Sequence, residues 1–181
     1  VRKNSKAARM FESAASLTYA LPGIVLALAM IFHWTIVPGV YGTVKILMIA
    51  YATRYVVLQI KGSTTAMLSV EPALEEAGRV FGAGKVTIWR KIMIPVMAKQ
   101  ILSSSFLIFV SSLTELTLSS MLASAGTKTI GLTIFNLQQG GDYSLSAAMS
   151  AVIVFIVFFV YSLVALVKKK DEEDAKRPKV Q

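Results

Sequence analysis

Long apolar runs, each close to the length that crosses a bilayer, are interrupted once by a charged, glycine-punctuated island between Gly62 and Pro95. A hydrocarbon core of about 30 Å needs about 20 helical residues at 1.5 Å rise. Inside lipid every backbone N–H and C=O must be satisfied within the segment, so the runs read as helices. Only 16% of the chain is charged against 55% hydrophobic, too little charge to clothe a soluble domain of this size. The expected fold class is therefore all-α integral membrane, with about four transmembrane helices. The island is too polar to span and belongs in water.

The first run covers about residues 14–37 and contains Leu21-Pro22-Gly23, expected to kink one span. Pro38-Gly39 marks a turn. The second covers about 40–60, with Lys45 near its outer end and Arg54 inside. The third, about 96–122, has no internal Gly or Pro and is expected to form one continuous tilted helix. The fourth covers about 146–167 and ends at Lys168-Lys169-Lys170. The division is residues 1–13 as a cytoplasmic segment, 14–167 as the membrane domain with an elbow at 71–95, and 168–181 as a cytoplasmic tail expected to be disordered.

Charge sets the orientation. One side receives Arg2, Lys3, Lys6 and Arg9, then Lys61, Arg79, Lys85, Arg90, Lys91 and Lys99, and the C-terminal lysines. Among loop residues on the other side the only basic one is Lys128. The positive-inside rule places both termini and the island in the cytoplasm. The net charge of +9 is explained by this asymmetry, and nucleic acid is not an expected partner. Without cysteine, thiolate metal sites and cysteine nucleophiles are excluded. His33 beside Trp34 reads as an interfacial anchor, since one histidine makes no metal site.

Within the island, Glu71-Pro72 starts a helix through Glu75, Glu76 and Arg79. Gly82 and Gly84 break it, and a second short helix over about 86–93 leads to Pro95. Gly82-Ala83-Gly84-Lys85-Val86-Thr87 is not a nucleotide loop. The glycine pattern is wrong, and Val86 stands where a magnesium-binding Ser or Thr is needed. Any ATP and magnesium are therefore expected on another subunit, with no catalytic residue, metal or cofactor in this chain.

The island resembles the signature of binding-protein-dependent ABC importer permeases, with their MetI-like transmembrane domain. Glu76-Ala77-Gly78 stands for Glu-Ala-Ala, Gly82 for the glycine, and Ile92-Met93-Ile94-Pro95 for the closing Ile-x-Leu-Pro, with the spacing intact. Gly78 and Ile94 are conservative departures. Tyr19 to Ala27 and Ser112 to Thr117 resemble stretches of ferric-iron-type permeases. The resemblance implies that Glu75, Glu76, Ala77, Gly78, Gly82, Ile92 and Pro95 form a coupling elbow seated on cytoplasmic ATPase subunits. It further implies a second permease half, an extracytoplasmic substrate-binding protein, lipid around the spans, and residence in a bacterial inner membrane. Such permeases carry more spans than the four read here, which points to the C-terminal part of a permease half. Ferric iron is the expected cargo; thiamine, polyamines, phosphonates and oxyanions remain open, as does a secondary transporter.

Glu115 lies inside the third run. A carboxylate at that depth is expected either to line the substrate path or to pair with Arg54 or Lys45. Ser103-Ser104-Ser105 permits close helix packing. Residues 123–145 read as an outer surface loop.

Overall fold

The computed structural model describes residues 5–176, and every regular element among them is helical. The order is α1 (Lys6–Ala20), α2 (Gly23–Trp34), α3 (Val44–Leu68), α4 (Pro72–Val80), α5 (Lys85–Ile88), a π-turn (Trp89–Met93), α6 (Ile94–Leu113), α7 (Thr117–Leu122), α8 (Ile130–Gln139) and α9 (Tyr143–Lys176).

Two of the expected spans are broken. The first run is not one kinked helix: α1 and α2 meet at 107°. Leu21, preceding Pro22, is extended at φ −66° and ψ 140°, the conformation that a following proline ring imposes on its neighbour. Pro22 then initiates α2. The third run is also discontinuous, although it contains no Gly or Pro. It ends as α6 at Leu113 and resumes as α7 at Thr117, with Glu115 in the gap. Among the described residues one helix, Tyr143–Leu166, is long and apolar enough to cross a membrane, and up to three spans result if the bent pairs Lys6–Ala20 with Gly23–Trp34 and Lys85–Ala98 with Gln100–Leu113 each count as one.

Other boundaries moved as well. The second run begins later and ends later than expected, as α3 over Val44–Leu68. Lys61 is carried inside that helix, where it pairs with Glu12 of α1 at 3.7 Å. The segment read as an outer loop contains α8, whose first turn is capped by the Thr129 hydroxyl accepting from Leu132 N–H at 3.4 Å. Helix α1 starts at Lys6, within the segment set apart as residues 1–13. Helix α9 continues to Lys176 through most of the tail expected to be disordered; residues 177–181 lie outside the described residues.

Packing is organised around α3. Toward one end its Ile46, Leu47 and Ala50 join Leu26, Ala27 and Met30 of α2 and Leu118 and Leu122 of α7 in one core. Toward the other, Ala66 of α3 and Val70 just beyond it join Ile88, Met93 and Met97. Between these cores α3 meets α6 at close range: a methyl at Gly62 would overlap Cβ and Oγ of Ser104. That is the small-residue contact expected of the serine cluster. The outward face of α9, including Val154, Phe155 and Phe158, is exposed, as befits a helix solvated by lipid.

Candidate functional site

The elbow is built by local rules. Pro72 occupies the first turn of α4, where its missing N–H is no loss, and Glu75 sits at the positive helix end. Glu75 and Arg79 pair one turn apart. The helix then ends in a Schellman motif: Ala83 N–H donates to Gly78 O at 3.0 Å and Gly82 N–H to Arg79 O at 2.9 Å. Gly82 takes φ +75° to close it, a conformation in which a side chain is strained. Val80 and Phe81, just before this turn, are 84% and 88% exposed, and Val86 beyond it is exposed as well. The result is an apolar knuckle set among Glu76, Arg79 and Lys85.

Behind the knuckle the elbow is anchored. Gly78 is buried, and a Cβ there would stand 3.1 Å from both Ile88 and Ile92. Glycine at this position therefore brings α4 close against the returning helix. Ile92 packs on the core that holds Ile88 and Met93. The chain widens into a π-turn directly before Pro95, with Ile94 N–H donating to Trp89 O. Pro95 has no N–H to give, and its ring crowds the carbonyl one turn back; a looser turn absorbs both. Of the predicted elbow residues, Gly78, Ile92 and Pro95 shape the joint, whereas Glu76 and Ala77 face solvent.

Glu115 is only 9% exposed, and the structure brings it to Arg54. Arg54 Nε stands 3.7 Å from Glu115 Oε2. The same oxygen accepts from the Tyr55 hydroxyl at 2.5 Å, and Oε1 accepts from Leu118 N–H at 3.0 Å. The carboxylate thus satisfies the opening turn of α7. One turn on, the Ser119 hydroxyl donates to the Glu115 backbone carbonyl at 2.9 Å and hydrogen-bonds the Tyr51 hydroxyl. Tyr51, Tyr55 and Gln59, spaced at helical repeats on α3, line a 340 Å³ cavity with Ile108 and Ser112. Lys45, the other candidate partner, is exposed near the start of α3. His33 packs edge-on to Trp34. Sequence reasoning missed the two tyrosines. Their signal was a polar edge every fourth residue on α3, opposite a buried acid.

The sequence model of the family described as "Binding-protein-dependent transport system inner membrane component" matches residues 1–170. The chain belongs to this family. Among its curated relatives, the Fe(3+)-transport system permease protein FbpB 2 of Haemophilus influenzae is 24% identical over 76% of this chain and 28% of the relative. The spermidine/putrescine transport system permease protein PotC of the same organism is 25% identical over 83% of this chain and 58% of the relative. The chain spans about a quarter of the length of the iron permeases it matches. Among solved structures, the inward-facing MetNI methionine ABC transporter superposes with a TM-score of 0.68 at 18% identity, covering 92% of this chain and 76% of that one. The chain therefore has the MetI-like permease fold.

Proposed function

We propose that the chain forms part of the membrane permease of an ATP-driven importer. It lies in a bacterial inner membrane with its termini and elbow in the cytoplasm, and it moves a solute delivered from outside by a binding protein. The observation that carries this reading is the Val80–Phe81 knuckle. A glycine turn holds it clear of the protein, and the buried core formed by Ile88, Met93 and Met97 backs it. Exposed aromatic and aliphatic side chains on a rigid support, rimmed by charge, are what a partner's groove needs as anchors. The partner is the ATPase subunit, which binds ATP and magnesium. Glu75, Glu76, Ala77, Gly78, Gly82, Ile92 and Pro95 form the joint through which its motion enters the membrane, and a second permease half completes the pathway.

Ferric iron is the cargo favoured by the similarity to the iron permeases, and a polyamine is the second, favoured by the similarity to PotC. The test is reconstitution in proteoliposomes with the ATPase subunit and the binding protein. Uptake of ferric iron or spermidine should require ATP on the cytoplasmic side and survive collapse of the ion gradients. Uptake that runs without ATP and stops with the gradients refutes the importer reading.

A further inference from the structure

Two cavities lie end to end between α6 and α9. One, of 540 Å³, is walled by Phe106, Val110 and Thr114 of α6 and by Val154, Val157 and Tyr161 of α9. The other, of 360 Å³, shares Thr114, Ile153 and Val154 with it and continues to Ile134 and Phe135 of α8. Phe106 and Tyr161 meet at the end nearer the C-terminal lysines, with ring centres 5.9 Å apart. Neither water nor another helix suits this slot. A buried water needs about two to four polar partners, and the Thr114 hydroxyl is turned back onto Val110 O at 3.1 Å. Helices that approach closely in this chain do so across small residues, Gly62 against Ser104 and Gly23 against Thr117. From Val152 to Tyr161, α9 carries only Val, Ile, Phe and Tyr, and Val154, Phe158 and Tyr161 stand exposed. A flexible hydrocarbon chain fills a slot between such side chains and restores the dispersion contacts that an empty one forfeits.

The slot leads toward charge. Lys168 comes seven residues after Tyr161 in the same helix, so its position continues the slot's stripe. From Val154 to Lys168, α9 advances about 21 Å. One leaflet with its headgroups is about 20–22 Å thick. A phospholipid whose chain ends near Val154 therefore brings its phosphate level with Lys168, Lys169 and Lys170. The acidic run Asp171-Glu172-Glu173-Asp174 follows only beyond them, farther into water. Lipid tails are as apolar as the side chains that line the slot, so the slot contributes fit and the lysines contribute the attraction.

We propose that the α6–α9 slot binds one phospholipid of the cytoplasmic leaflet, with an acyl chain between Val110 and Val157 and the phosphate at Lys168–Lys170. The site requires only that the chain sit in a membrane with its lysine-rich end in the cytoplasm. It involves neither the cargo nor the ATPase subunit, and so goes beyond the importer reading.

The permease is purified in mild detergent, stripped of loose lipid and titrated with phosphatidylglycerol while native mass spectrometry counts the lipid bound per chain. One phosphatidylglycerol should bind ahead of the broad uptake of annular lipid. Val157→Trp fills the slot and should weaken that first binding about tenfold or more. Val154→Trp, entering from the exposed rim where it displaces no packed neighbour, should do likewise. Phe155→Trp, exposed but outside the slot, should leave the binding unchanged. Lys168→Gln should weaken it about fivefold with no change in melting temperature, and a diacylglycerol of the same chains, lacking the phosphate, should bind about fivefold or more weakly. First binding that is equal in the parent, Val154→Trp and Lys168→Gln is annular lipid only and overturns the proposal. Equal binding of the diacylglycerol overturns it too. The chain has no cysteine, so Val157→Cys gives a last check: a disulfide-linked dimer formed in the membrane by an oxidant means that a second copy fills the slot, and the lipid site is refuted.

Discussion

Replacing Gly62 by alanine should force α3 and α6 apart. The added methyl overlaps Cβ and Oγ of Ser104, while the Ser104 Cα lies 3.7 Å away. Rotating the serine moves only its Oγ; the Cβ moves only with the backbone. Overpacking of this kind costs up to about 3 kcal/mol, and alanine's advantage over glycine in a helix offsets about 1 kcal/mol. The net loss is about 2 kcal/mol, which for a domain of this size is about 4–8 °C in apparent melting temperature. Removing the obstruction makes a sharper test than the loss itself. In Gly62→Ala with Ser104→Gly the nearest remaining atom is the Cα at ordinary contact distance, and the double variant should melt within about 2 °C of the parent. Ser104→Gly alone should lose about 0.5 kcal/mol through helix propensity. The measurement is intrinsic tryptophan fluorescence during thermal unfolding in detergent. A single variant that melts with the parent, or a double variant that falls as far as the single, refutes the close contact as the clamp between the two helices.

Further outcomes follow from the elbow and the polar junction. Phe81→Asp should weaken capture of the ATPase subunit by about 30-fold or more in a pull-down titration, as for an exposed anchor worth about 2 kcal/mol, without lowering the permease's own melting temperature. Gly82→Ala should destabilise the end of α4 by about 1 kcal/mol, visible as faster exchange of the Ala83 amide; unchanged exchange would contradict the left-handed turn. Tyr55→Phe should lower stability by about 1–2 kcal/mol in chemical unfolding, because Glu115 loses one of its two hydrogen bonds, and a neutral result would place that hydroxyl outside the network. Gly23→Leu should separate α2 from α7 and lower the melting temperature by about 4 °C or more, with Thr117→Ala giving partial rescue.

What the sequence revealed and what it hid have physical reasons. The elbow was legible because its signals are local. Pro72 can only begin a helix, Gly82 accepts a backbone angle that side chains resist, and Pro95 disturbs the turn before it. The α6–α7 break carried no such mark. Thr114, Glu115 and Leu116 leave the helix because partners from elsewhere reward it: Tyr55 and Arg54 on α3 engage the carboxylate, and Leu118 N–H finds it once the chain has turned. The interruption depends on contacts far apart in sequence, so apolar periodicity alone read straight through it. The Pro22 corner lay between these cases. The residue pair announced a disturbance, but its size, 107° rather than a kink, was set by α2 packing against α7. Glu115 stood out in the sequence as an acid within an apolar run, and choosing between its candidate basic partners required knowing which face of α3 it meets.

The knuckle at Val80 and Phe81 also bears on how long the chain survives. Two large apolar side chains, held in water at the tip of a stiff turn, are the kind of surface that quality-control proteases and chaperones recognise. On the proposed function, a copy made in excess of the ATPase subunit would carry that signal uncovered, and docking would hide it. The elbow would then regulate subunit stoichiometry as well as transmit force. Pulse–chase half-life should lengthen when the ATPase subunit is co-expressed, and Phe81→Asp should give a lifetime that no longer depends on it.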